Sequence, residues 1–243
     1  MAVLSHLEPK SVFSYFEEIC AIPHGSGNTK MISDYLMAFA AQHGLEAHQD
    51  ELNNVIIMKE ATPGYEGAEP VILQGHMDMV CEKAPDCPKD MEREGLDLCV
   101  EGDTIYAKDT TLGGDDGIAV AMEMALLAAE DLTHPRLECV FTVDEEVSMP
   151  GAAGIDCAPL RGRRMINIDS EAEGVFTVSC AAATAPPAVF LSTARCVPGR
   201  RCALRWAAWK ADTPAWRSTR AGATRICCWA VCWQRRPGKR SCG

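Results

Sequence analysis

Tryptophan is absent from the first 180 residues of this 243-residue chain, and so is any C-x-x-C pair. The seven cysteines of that stretch (Cys20, Cys81, Cys87, Cys99, Cys139, Cys157 and Cys180) are scattered. Such spacing gives no structural zinc knot or disulfide framework, and reads as the reduced thiols of a cytoplasmic protein. Basic residues are scarce there too, 11 against 33 acidic. So strong an acidic excess argues against nucleic acid as a partner. No run of about 18 apolar residues is present to cross a membrane. Residues 1–9 lack the basic and then apolar pattern of a secretory leader. There is no internal repeat.

What the chain does have is carboxylates placed where strands end. In VILQGHMDMV, residues 71–80, an apolar run leads into Gly75, then His76 and Asp78. On an extended backbone, residues two apart project from one face. An imidazole beside a carboxylate at a strand end is a common way to present an oriented metal ligand. It is also what two exposed polar residues at a strand end would look like. In TTLGGDDGIAVAMEMALLAAEDL, 110–132, a glycine turn opens a helical pattern. Asp116 reads as an ordinary cap of that helix, since aspartate is favoured there. Asp115, one residue further out in the turn, is more available as a ligand. After the strand 137–143 come Asp144, Glu145 and Glu146 with no basic neighbour. Adjacent carboxylates repel unless cations compensate them, although a solvated acidic loop has the same composition. The short strand in MINIDSEAEG, 165–174, ends at Asp169.

Strands near 53–58, 71–75, 137–143 and 165–168 alternate with helices near 9–20, 28–43 and 116–131. This order predicts an α/β domain with a mostly parallel central sheet flanked by helices. Ligands of such sheets bind at the carboxyl ends of the strands, where His76, Asp78, Glu145, Glu146 and Asp169 all fall. One histidine with several carboxylates and no cysteine suits a two-metal hydrolytic site. The other histidines (His6, His24, His43, His48 and His134) read as loop or helix-surface residues.

QGHMDMV, TTLGGDDGIA, TVDEEVSMPGA and INIDSEAEG, in this order, resemble the M20 metallopeptidases. Together with the opening FEEICAIPHGSGNTKMISDYL they resemble most the aminoacyl-histidine (Xaa-His) dipeptidases of that family. The likeness covers about residues 5–180. It implies that His76 and Asp169 bind one metal, that Asp115 bridges two, and that Glu146 binds the second. It further implies that Asp78 orients His76 and that Glu145 is the general base. The metals implied are two divalent ions, zinc by default, with manganese or cobalt possible at such donors. The substrate implied is a dipeptide, cleaved by a bridging water acidified by the metals. The family's further histidine ligand lies downstream in a longer chain, and nothing here matches it. The family's full-length form is expected to be a homodimer with a lid domain. Another M20 peptidase or aminoacylase, or a non-catalytic metal-binding remnant, would keep the same metal residues.

Residues 181–243 differ in kind. They hold all five tryptophans, six of the thirteen cysteines, and 12 basic residues against the single acid Asp212. No periodicity persists. Regrouped one base back, AWKADTPAWRSTRAGATRICCWA from Ala208 onward becomes GLEGGHSGVEIDKGRGNANLLLG, which resembles the family's second-domain motifs. The tail therefore reads as an out-of-frame translation, disordered and lacking the lid. The competing reading is a basic arm for nucleic acid or membrane. The chain as written is expected to be poorly stable, with an open sheet edge, and nearly inactive.

Overall fold

Apolar residues of the central strands alternate between two faces, and both faces are covered. In the computed structural model, which describes residues 2–170 and 174–178, strand β2 (Val55–Lys59) sends Val55 and Ile57 to one side and Ile56 and Met58 to the other. Period-two alternation with both sets buried is the mark of a sheet covered by helices or loops on each face. The chain divides into two units, 1–173 and 174–243, and the fold described here is that of the first. The out-of-frame reading of 181–243 lies outside the described residues.

Helix α1 (Lys10–Cys20) and helix α2 (Lys30–Gln42) come first, followed by strand β1 (Glu46–Gln49), β2 and strand β3 (Val71–His76). A hairpin of β4 (Leu98–Glu101) and β5 (Thr104–Ala107) stands apart as its own two-stranded sheet. Helix α3 (Gly114–Ala128), strand β6 (Leu137–Thr142), a 3-10 turn (Glu145–Val147), short helix α4 (Pro150–Gly154) and strand β7 (Arg164–Asn167) complete the order. The five-stranded sheet runs β1-β2-β6-β3-β7. Its β3 lies between β6 and β7 and is parallel to both, and antiparallel pairings join β2 to β6 and β1 to β2 at the other side. The expected α/β architecture is thus present. Short polar β1 and the β4–β5 hairpin were not foreseen.

The main core lies between the three long helices and one face of the sheet. Phe16 and Ile19 of α1, Ile32 and Leu36 of α2, and Val120 and Met124 of α3 pack on Leu73, Cys139 and Phe141. Helix α3 fits closely because its buried positions include small residues, Ala119 lying against Gly75 of β3 and Ala121 also fully buried. The opposite face holds a thinner cluster of Ile56, Met58, Ile72 and Val140 under Ile155 and Leu160. Strand β7 pairs only with β3 among the described residues, and all four of its residues are exposed, Met165 at 61% and Ile166 at 50%. No helix among the described residues is long and apolar enough to cross a membrane.

The register sets up the site. His76 of β3 pairs with Thr142 of β6, and Gln74 with Asn167 of β7, so the three parallel strands end together. Ladder-like bonds continue past the ends, Met77 N–H donating to Thr142 O at 2.8 Å and Ile168 N–H to Gln74 O at 3.0 Å. Gly75 lets the start of α3 approach, since a Cβ there would lie 2.8 Å from both Ala119 Cβ and Asp116 Oδ2.

Candidate active site

His76 is 1% exposed, and both ring nitrogens face acceptors. Nδ1 lies 2.9 Å from the backbone oxygen of Asp78 and 3.4 Å from its Oδ1. That pairing makes Nδ1 a donor and points Nε2 at the carboxylates of Asp115 and Asp169. Nε2 is 3.1 Å from Asp115 Oδ1 and 3.9 Å from Asp169 Oδ2. Burial alone would lower the imidazole's pKa, but the hydrogen bond and charge of Asp78, with Asp116 and Asp115 behind it, raise it to about 10.

Asp78, also 1% exposed, does more than face the histidine. Its Oδ1 accepts the Glu145 N–H at 3.0 Å, and its Oδ2 accepts the Ser26 hydroxyl at 2.8 Å and the Glu146 N–H at 3.4 Å. Burial would raise its pKa, but these donors and His76 hold it below the usual carboxylate range.

The strand-end carboxylates converge. His76, Glu145 and Asp169 offer ligand atoms within 4.8 Å of one another, as do His76, Asp115 and Glu146, and Asp115, Asp116 and Asp169. Five of the six candidate residues named from the sequence are therefore gathered in these groups, and the sixth, Asp78, touches His76 and the backbone of Glu145 and Glu146 beneath them. Asp115 and Glu146 are exposed, Glu145 and Asp169 half-buried. Such a hard-oxygen set with one imidazole fits a divalent cation. Burial first, then the charges of Asp169, Glu146 and Asp78, raise the pKa of Glu145 against the opposing effect of His76. The loop carrying Glu145 is strained. Asp144, Ser148 and Met149 hold φ of 57°, 84° and 57°, a left-handed conformation that costs non-glycine residues roughly 1–3 kcal/mol each.

Three sequence expectations need correction. Asp116 is not the cap of α3. It makes no capping hydrogen bond, is 2% exposed, and accepts the backbone N–H of His76 on Oδ2 at 3.1 Å. Burial first, then Asp169 and Asp115, lift its pKa to about 7 against the pull of His76. His24 and His134 are not surface residues either, at 3% and 7% exposure. The backbone turns back there, each ring bonding a nearby carbonyl, Ile22 O at 2.6 Å and Pro135 O at 2.8 Å. Ser26 was not singled out as a site residue, although its motif was quoted.

With this geometry in place, the comparisons with known proteins become specific. No family model matches the chain. The cytosol non-specific dipeptidase of Escherichia coli is 38% identical over 181 residues, which is 74% of this chain and 37% of that relative. The crystal structure of aminoacylhistidine dipeptidase from Vibrio alginolyticus superposes with a TM-score of 0.68 at 38% identity, covering 70% of this chain and 35% of the other. The chain resembles the M20 dipeptidases. A tripeptidase from Staphylococcus aureus shares the fold, with a TM-score of 0.57 at 24% identity over 67% of this chain and 44% of the other. The chain thus spans little more than a third of the length of the dipeptidases it matches. The M20 likeness agrees with the α/β architecture.

Proposed function

We propose that this chain carries the metal-binding and proton-transferring part of a dipeptide hydrolase of the M20 type. The observation that supports this most is the meeting of His76, Glu145, Glu146 and Asp169, from the ends of three parallel strands, with Asp115 at the start of α3. The likeness to two dipeptidases points the same way. In this reading His76, Asp115 and Asp169 hold one divalent ion, with Asp115 and Glu146 turned to a second. Zinc is the first choice, and manganese or cobalt also suit these donors. When bound, such a pair supplies an acidified water and a Lewis acid for the peptide carbonyl.

The chain's own residues supply the rest. Glu145 sits beside the cluster with its pKa raised above the ordinary carboxylate value, the direction that suits a group taking a proton and returning it to the departing amine. Asp78 keeps the His76 ring in one tautomer and ties the backbone of Glu145 to the strand end. The substrate proposed is a dipeptide, Xaa-His among others, and the compartment the cytoplasm, in keeping with the six free cysteines among the described residues. Another M20 peptidase or aminoacylase would use the same ligands. None of the other histidines joins the cluster groups, so the second metal lacks an imidazole among the described residues. We therefore expect firm binding of one ion and slow turnover by the 243-residue chain.

The test is zinc titration of the purified chain together with hydrolysis of an Xaa-His dipeptide. Zinc binding that is lost in His76→Ala and kept in Glu145→Gln, with turnover lost in both, is the expected result. Wild-type turnover by Glu145→Gln would remove the proposed base. Turnover indifferent to chelation would remove the metal.

A further inference from the structure

The segment 22–28, whose sequence IPHGSGN stood out in the chain, contributes none of the metal ligands proposed above, yet it is bonded to every element that carries them from strand ends β3 and β6. Gly25 bridges to Met79, Met79 N–H donates to His24 O at 3.2 Å, and Ser26 N–H donates to Met79 O at 3.2 Å. These bonds extend the end of β3 as though the segment were a further strand. From there Ser26 Oγ–H donates to Asp78 Oδ2 at 2.8 Å, and Gly27 N–H donates to Asp144 Oδ1 at 2.6 Å. Gly27 holds φ at 79°, which presents that N–H without side-chain strain.

A carboxylate has about four lone-pair directions. Those of Asp78 are taken by Ser26 Oγ, the amides of Glu145 and Glu146, and the His76 ring edge. No water can replace a lost partner readily, since Asp78 is 1% exposed. Taking away the hydroxyl leaves one oxygen of a buried carboxylate short of a donor. The carboxylate then has reason to turn, and the same rotation moves Oδ1, which accepts the Glu145 N–H and lies 3.4 Å from His76 Nδ1, whose shorter bond is to the Asp78 backbone oxygen.

We propose that Ser26 is a positioning residue: through Asp78 it fixes together the His76 ring and the Glu145–Glu146 backbone, so that a metal ion meets a preset ligand geometry. This rests on the metal reading of the site given above. Outer partners of this type typically change metal affinity by about 10- to 100-fold.

Cobalt(II) is the probe, because its visible spectrum reports coordination geometry as well as occupancy. The full 243-residue chain is titrated as wild type, Ser26→Ala, Ser26→Thr and His76→Ala, and each metal-free variant is melted. The expected result is affinity about tenfold weaker and an altered cobalt spectrum in Ser26→Ala, both restored by Ser26→Thr, which keeps the hydroxyl. Ser26→Ala with wild-type affinity and spectrum would overturn the role of Ser26 while leaving the metal site standing. Equal losses in the Ala and Thr variants, matched by equal falls in metal-free melting temperature, would reduce Ser26 to a packing residue and also overturn it. Equal cobalt binding by wild type and His76→Ala would overturn the metal reading, and the positioning role with it.

Discussion

The backbone N–H of His76 donates to Asp116 Oδ2 at 3.1 Å, joining the end of β3 to the start of α3. Both groups are buried, so the bond cannot be exchanged for water. It explains why Asp116, which has the residue type of a helix cap, does not act as one. Asp116→Ala should cost about 1–3 kcal/mol by orphaning that N–H. Asp116→Asn keeps an acceptor at the same reach and should recover most of the loss. Asp116→Ser, a good cap but too short to reach β3, should not. Denaturant midpoints of the three variants decide it, and rescue by serine would restore the capping interpretation.

Glu123 presents the opposite situation. It is fully buried in the face of α3 that meets the sheet, and neither carboxyl oxygen has a nitrogen or oxygen partner among the described residues, the Cys139 thiol being its polar neighbour. Burial, reinforced by Asp116, pushes its pKa well above the ordinary 4.5. A carboxyl raised in the folded state stays protonated there while the unfolded chain ionises. Its contribution is therefore full below pH 4.5 and is lost as pH rises, at up to about 1.4 kcal/mol per pH unit until the folded group itself ionises. Glu123→Met, similar in volume and free of polar atoms, should be more stable than wild type, and by more at pH 8 than at pH 5. A difference that is the same at both pH values would show that Glu123 is not held neutral.

Glu138 reverses the sign. Also fully buried, it accepts Arg136 Nε at 2.9 Å and the N–H groups of Arg161 and Gly162, both at 2.9 Å on Oε2. Burial would raise its pKa, but these donors hold it below 4.5. Its contribution is present above pH 4.5 and is lost as pH falls through the lower folded value. Glu138→Ala removes one of the two carboxylates on the Arg136 guanidinium, Glu60 being the other, and orphans two amides, so it should cost about 1–3 kcal/mol. Glu138→Gln should flatten the acid limb of the stability profile, whereas Glu123→Met flattens the limb above it. Melting curves between pH 3 and pH 8 on the two variants separate the effects.

These three carboxylates show how far the sequence could be read. Glu145, Glu146, Asp78 and Asp169 were found because each follows an apolar run, and a strand end is visible as a break in that run. The order of strands and helices came from the same signal. Asp116 and Glu123 were not found, because nothing local distinguishes an aspartate that caps a helix from one that bonds a distant strand. Nor does anything local mark a helix face that will be sealed by β6. Strand β1 and the β4–β5 hairpin escaped because they are four residues each and half-exposed, so they carry little apolar alternation. Ser26 escaped for a related reason. Its partner lies in another segment, and only the fold puts them 2.8 Å apart.

The cluster itself leads to a prediction about protons. With Asp78, Asp116 and Asp115 around it, His76 holds its proton to a pKa of about 10 in the metal-free chain. A metal can take Nε2 only when that proton leaves. Zinc binding should therefore release a proton and tighten by about tenfold per pH unit between pH 6 and pH 8. Calorimetric titration in two buffers of different ionisation enthalpy counts the protons directly. Saturating zinc should also stabilise the fold, by about 2.7 kcal/mol at a hundred times Kd, and a chelator should reverse it. His76→Ala should show neither the proton release nor the stabilisation. Zinc binding of wild type that is flat between pH 6 and pH 8 would mean that His76 is not the ligand.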